Sequence, residues 1–132
     1  MYEISVKTQF SAAHHLKGYA GTCSAFHGHN WDVEVYVRGA TLDETGILID
    51  FRVLRTGVQE ILSDLDHRDL NTVPAFTDTN PSSENIARYL YEALSTRLNA
   101  PGHRISRVVV HETPGSAAAY WEEADAGEPR HD

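Results

Sequence analysis

The sequence predicts an α+β fold, a single antiparallel four-stranded sheet with two helices on one face, in the chain order ββααββ. Three observations carry this. Two segments near the amino end alternate apolar and polar residues, two central segments repeat apolar residues at three- and four-residue spacing, and two further short strand-like segments follow. With 132 residues, 41% of them hydrophobic, the chain has material for one domain with a real core, and neither a repeat nor a linker divides it.

In the first segment Tyr2, Ile4, Val6, Thr8 and Phe10 alternate with Glu3, Ser5, Lys7, Gln9 and Ser11, so a strand with one buried face is expected over residues 2–12. Trp31, Val33, Val35 and Val37 alternate with Asp32, Glu34, Tyr36 and Arg38 in a second. Asp50 stands at an N-cap position before Phe51, Leu54, Val58, Ile61, Leu62 and Leu65, the stripe of an amphipathic helix that Leu65-Asp66-His67 closes. After the loop NTVPAFTDTN, Asn80-Pro81 offers a cap and a first-turn proline. Ile86, Leu90, Ala93, Leu94 and Leu98 then mark a second helix, ended by Pro101-Gly102. Strands are expected over residues 105–112 and 117–122 around the turn TPGS. Residues 1–122 form the domain, and the polar tail 123–132 is expected to fray.

The formal charge of −8, with 11 scattered basic residues, argues against a nucleic-acid partner. No apolar run approaches the ~18 residues of a membrane span, so a soluble, unexported protein is expected. The lone Cys23 cannot form an intrachain disulfide, and a free thiol suits a reducing cytoplasm.

That cysteine opens the stretch CSAFHGHN. Extended backward, the second strand's alternation puts His27 and His29 on the buried face with Trp31. Extended forward, the first puts His14 in phase with Phe10 and Ala12, and His15 on the polar side. Three inward imidazoles suit Zn2+, which takes His nitrogen at about 2.0–2.1 Å and in catalytic sites keeps a fourth position open. The plainer reading makes His27 and His29 ordinary loop histidines. Asp66-His67 reads as a proton-transfer pair or as a solvated helix end. Glu112, in phase with Val108 and Val110, is an inward carboxylate needing a partner or a strand-end residue bent toward water. Glu84 reads equally well as a first-turn acid favoured by the helix dipole.

The motifs FSAAHHL, C-x3-HGHN, LDHRDLN, NPSSEN and VHET, in this order and over residues 2–122, resemble the 6-pyruvoyltetrahydropterin synthase family. The resemblance implies the tunnelling fold (T-fold), whose strands join between subunits into a barrel, usually in a homohexamer of two trimers. It implies zinc ligands His14, His27 and His29, and Cys23 as the catalytic base with Asp66 and His67 as a proton relay. It also implies that Glu112 grips the guanidine-like edge of a pterin, with Ser82, Ser83 and Glu84 helping to hold the ring. Serines stand at Ser82 and Ser83 where relatives often have threonine.

The implied substrate is a small molecule, 7,8-dihydroneopterin triphosphate. Only Ser24, Ala25 and Phe26 separate Cys23 from His27, whereas the pyruvoyl-forming enzymes of animals typically carry a longer insert. The short spacing resembles the carboxy-forming branch of the queuosine pathway, which yields 6-carboxy-5,6,7,8-tetrahydropterin, acetaldehyde and triphosphate. The alternatives are the pyruvoyl-forming reaction and a catalytically silent zinc- and pterin-binding oligomer.

Overall fold

A computed structural model describes residues 1–18 and 25–123. The elements run β1 (Tyr2–His14), β2 (His27–Gly39), α1 (Phe51–Leu62), β3 (Arg68–Asp69), α2 (Ser83–Leu98), β4 (Arg104–Thr113) and β5 (Ser116–Tyr120), with two short 3₁₀ turns between β3 and α2. They form one sheet in the order β3-β1-β2-β4-β5. Four of its strands are the expected antiparallel set. The fifth, β3, corrects the expected count: Arg68 and Asp69 pair in parallel with Ala12 and Ala13. Two residues are too few to leave a period-two signature.

The core lies between the sheet and the two helices. Val6, Phe10 and Ala12 of β1, Trp31, Val33, Val35 and Val37 of β2, and Ile105, Val108 and Val110 of β4 face Leu54, Val58 and Leu62 of α1 and Ile86, Leu90 and Leu94 of α2. Ile105 and Val108 share that face despite their odd separation because the β2–β4 register shifts by one at Tyr36/Val37, leaving Ser106 as the extra residue of a bulge. The helices pack closely at Gly57, where an added Cβ would lie 3.0 Å from a Leu98 methyl.

Three boundaries differ from expectation, and each bears on the site. Strand β1 continues to His14, its pairing with β2 unbroken from Tyr2↔Gly39 to His14↔His27. Helix α1 ends at Leu62, before the expected Leu65; Ser63 is its C-cap, and Leu65 is buried from a following turn. Helix α2 takes Ser82 as N-cap, its hydroxyl accepting the Asn85 N–H at 3.2 Å, so Asn80-Pro81 lies outside the helix. Asn80 is otherwise engaged: its side chain accepts the Lys17 N–H and donates to the Lys17 carbonyl, both at 2.9 Å.

Candidate metal and active site

The continuous β1–β2 ladder makes the strand-phase reading of the histidines hold in space. His14 and His27 are directly paired, and His29 sits opposite Ala12. Their rings gather at one end of the core over Trp31, which meets His14 and His29 edge-on at centroid distances of 4.9 and 5.2 Å. Trp31 is fully buried, and its indole N–H donates to the Ala12 carbonyl at 3.3 Å. Truncating such a floor to alanine costs about 3–5 kcal/mol.

Two backbone carbonyls fix how these rings present themselves. His14 Nδ1 donates to the Pro81 carbonyl and His27 Nδ1 to the Ala25 carbonyl, each at 2.6 Å. A carbonyl only accepts, so each neutral ring carries its proton on Nδ1 and a lone pair on Nε2. Those two Nε2 atoms face each other at 3.0 Å. Converging lone pairs repel unless a cation lies between them. His29 Nε2 is buried without a hydrogen-bond partner, 3.5 Å from Glu112 Oε1 in a geometry that makes no hydrogen bond. Glu112 Oε1 also lies 3.1 Å from His14 Nε2. One ligand atom from each of His14, His27, His29 and Glu112 lies within 4.8 Å of all the others. An orphaned buried nitrogen, two opposed lone pairs and an adjacent carboxylate fit a divalent cation with an affinity for nitrogen, such as Zn2+.

Electrostatics favour the same state. Burial pushes His14, 1% exposed, below the usual histidine range; the Pro81 carbonyl opposes this and the His27 ring reinforces it. Burial also lowers His29, against the pull of the Glu112 carboxylate. Both rings are thereby held neutral, as a metal ligand must be.

Asp66 and His67 stand apart from this cluster. The Asp66 carboxylate accepts the Ser11 N–H at 2.8 Å and pairs with His67 Nδ1 at 3.0 Å, while the His67 N–H donates to the Ser11 carbonyl. The Ser11 N–H is the main influence lowering the Asp66 pKa, followed by opposing desolvation and the His67 contact. His67 has φ 58°, the only positive φ of a non-glycine residue among those described, and its side chain is 81% exposed. A left-handed histidine costs about 1–2 kcal/mol. Ser11 holds it there, with the ring directed outward beside an open depression that His29, Arg68 and Asp69 also line.

Cys23 lies outside the described residues. Ser82 is the α2 N-cap, and Ser83 and Glu84 are in the first turn of α2, Glu84 exposed. All three directly follow Pro81, whose carbonyl anchors His14. Residues that sequence reasoning passed over complete the frame. Besides Asn80, Asn71 accepts the His15 N–H at 2.9 Å and donates to the His15 carbonyl at 3.1 Å, continuing by side chain the pairing that β3 begins. The asparagine in LDHRDLN was the available signal. The carbonyls of Ala25 and Pro81 have none.

The fold and site define an α+β domain whose imidazoles converge with a carboxylate at paired strand ends, in a group that could hold a metal ion. The family follows from comparison: the model of the 6-pyruvoyl tetrahydropterin synthase family matches residues 3–123, and the chain belongs to that family. It is 34% identical over 116 residues to the 6-pyruvoyl tetrahydrobiopterin synthase of Drosophila melanogaster, covering 85% of this chain and 68% of the relative. To the 6-carboxy-5,6,7,8-tetrahydropterin synthase of Bacillus subtilis it is 32% identical over 126 residues, covering 90% of this chain and 84% of that one. The solved 6-pyruvoyl tetrahydropterin synthase of Caenorhabditis elegans matches with a TM-score of 0.84 and 29% identity, over 92% of this chain and 96% of the other. The fold is the tunnelling fold.

Proposed function

We propose that this chain is a zinc-dependent pterin synthase that converts 7,8-dihydroneopterin triphosphate and water to 6-carboxy-5,6,7,8-tetrahydropterin, acetaldehyde and triphosphate, as in queuosine biosynthesis. The observation that carries the reading is the convergence of His14, His27, His29 and Glu112 ligand atoms within 4.8 Å, two of the rings tautomerically fixed from behind. Zn2+ held by the three histidines would supply Lewis acidity toward the substrate's side-chain hydroxyls, making the neighbouring carbon-bound proton easier to remove.

The chain's own residues divide the remaining work. Cys23, as thiolate, takes that proton; its place in C-x3-HGHN keeps it within a short tether of His27, at most about 3.3–3.6 Å per residue. His67, oriented by Asp66, handles the second proton exchange as the ring tautomerises. Glu112 binds the guanidine-like edge of the pterin, with Ser82, Ser83 and Glu84 at the neighbouring end of α2. A binding module without catalysis would need neither Cys23 nor the Asp66–His67 pair.

The exposed His67 and the sheet edges support a homo-oligomer. Among the described residues, the outer edge of β1 is paired only at Ala12–Ala13, and β5 ends the sheet on the other side. Pairing such edges between copies closes a ring, and two trimeric rings make the hexamer of the tunnelling fold. His67 would then project toward a neighbouring copy's site. A reduced Cys23 suits a cytoplasmic enzyme.

The pyruvoyl-forming reaction is the second reading, favoured by the Drosophila relative's identity. Incubation of the purified protein with 7,8-dihydroneopterin triphosphate, followed by mass spectrometry, decides between them. Equal amounts of acetaldehyde and 6-carboxytetrahydropterin are expected. Triphosphate release with a product that keeps all three side-chain carbons selects the pyruvoyl reaction, and no turnover selects the silent oligomer.

A further inference from the structure

Helix α2 opens with Ser82 as N-cap followed by Ser83, Glu84 and Asn85, and its third helical residue is not the one a helix favours there. After an N-cap serine the stabilising choice at that position is Glu or Gln, which reaches back to accept the N-cap N–H. Asn85 instead reaches past the cap and donates a side-chain N–H to the Asn80 carbonyl at 2.9 Å, while its backbone N–H goes to the Ser82 hydroxyl at 3.2 Å. Only the NH2 of a carboxamide can pair with a carbonyl, so this side chain is used as a donor. It serves the loop before the helix.

That loop carries the carbonyl behind His14. Asn80 is tied at both ends: its carboxamide grips the N–H and the carbonyl of Lys17, just beyond the end of β1, and its own carbonyl is held by Asn85, all at 2.9 Å. The Asn80–Pro81 peptide plane is thereby fixed, and the proline ring fixes the next rotation at φ of about −65°. One rotation, ψ of Pro81, remains before the Pro81 carbonyl that accepts from His14 Nδ1 at 2.6 Å. Both sides of that contact, the carbonyl and the chain that follows the ring, are thus referred to the first turn of α2 through Asn80 and Asn85.

We infer that Asn85 is a positioning residue: by holding the Asn80 carbonyl it keeps the Pro81 carbonyl aimed at His14, and so keeps the proton of that ring on Nδ1 and the lone pair on Nε2. Asn85 acts through two intervening residues rather than on metal or substrate. The tautomer of such a histidine is set by the partner of its other nitrogen. That half stands on the hydrogen bonds alone; the consequence for metal affinity rests on the zinc reading proposed above. A purely structural residue at the start of a helix makes the opposite demand, because a carboxylate there interacts favourably with the helix dipole.

Asn85→Asp separates the two roles, being isosteric, favourable to the helix start and, once ionised, unable to donate. The full chain, metal-free and 15N-labelled at histidine, is read by NMR at about pH 8, where the rings are neutral, with the His14 signals identified by their absence from His14→Ala. Wild-type protein should show His14 protonated on Nδ1. Asn85→Asp and Asn85→Ala should move a measurable share of that proton to Nε2. Asn99→Ala, the same truncation at the far end of α2, where Asn99 accepts the Ile105 N–H, should not. In chelator competition both Asn85 variants should hold zinc about 10-fold more weakly. An unchanged His14 tautomer in Asn85→Asp, or an equal change in Asn99→Ala, overturns the positioning. A changed tautomer with unchanged zinc affinity overturns the metal consequence alone, and wild-type protein that takes up no zinc overturns the zinc reading while the tautomer result stands. Where the variants do not fold, the wild-type protein carries the test: the Asn85 carboxamide protons should exchange slowly with solvent, and free exchange overturns the proposal.

Discussion

The histidine cluster and the Asp66–His67 pair are built by opposite means. His14, His27 and His29 sit on two long strands in unbroken register, buried or half-buried, with two rings locked by carbonyls. His67 sits in a turn, left-handed and 81% exposed, held among the described residues through Ser11 and Asp66. A metal centre needs neutral, preoriented ligands, and a buried ladder provides them. The proton carrier proposed for His67 would have to meet solvent or substrate, and a left-handed turn beside the sheet edge leaves its ring exposed for that. Loss of a cluster residue should therefore remove the metal, and loss of a pair residue should remove only turnover.

The largest effect that tests this division is on the metal. His27→Ala and His29→Ala are expected to weaken zinc binding by at least about 100-fold, beyond what loss of an outer partner typically costs. His15→Ala, one residue from a ligand but out of phase, should keep one zinc per chain. Metal analysis after gel filtration reads this directly, and zinc-replete His27 and His29 variants would dissolve the distinction.

Next in size is the effect at Cys23, the proposed base. Cys23→Ala should lower turnover by roughly 10²–10⁴-fold, the usual range for a general base, with zinc content unchanged. Joint loss of zinc and activity would move Cys23 into the metal shell. For the pair, His67→Ala should lower turnover by about 10²-fold while zinc affinity stays at the wild-type value. A parallel fall in zinc affinity would show that the two regions are not separable.

The smallest expected effect is on stability. The Asp66 carboxyl is depressed in the folded protein below its ordinary 3.8, chiefly by the Ser11 N–H. Its contribution is therefore fully present above pH 3.8 and is lost as pH falls through the lower folded value. Asp66→Asn keeps an acceptor for Ser11 but cannot titrate, so its thermal midpoint should fall less steeply with acid over that range. Equal steepness in both proteins would leave the carboxylate without a stabilising role.

The two regions also differ in how far the sequence revealed them. Period-two alternation places His14, His27 and His29 because β1 and β2 pair without a register shift from the core to the strand ends; Glu112 reaches the cluster although β4 carries a register shift beside it. What alternation misses is local. The bulges at Ser106 and Glu112, the two-residue β3 and the early end of α1 are each shorter than the window a periodicity needs. Contacts made by backbone, such as Pro81 to His14 and Ala25 to His27, depend on where a carbonyl arrives in space and not on which residue bears it. The side chain of Asn80 suits a helix cap equally well, so its pairing with Lys17 is a tertiary choice.

The proposed function stands or falls on His14, His27 and His29 forming one metal centre. X-ray absorption at the zinc edge of the substrate-free, zinc-loaded protein tests it most directly. One zinc per chain is expected, with only nitrogen and oxygen neighbours at about 2.0–2.1 Å and a nitrogen neighbour lost in His29→Ala. A sulfur neighbour at about 2.3 Å, which only Cys23 or the lone Met1 could supply, or a zinc shell indifferent to the loss of His29, would contradict it.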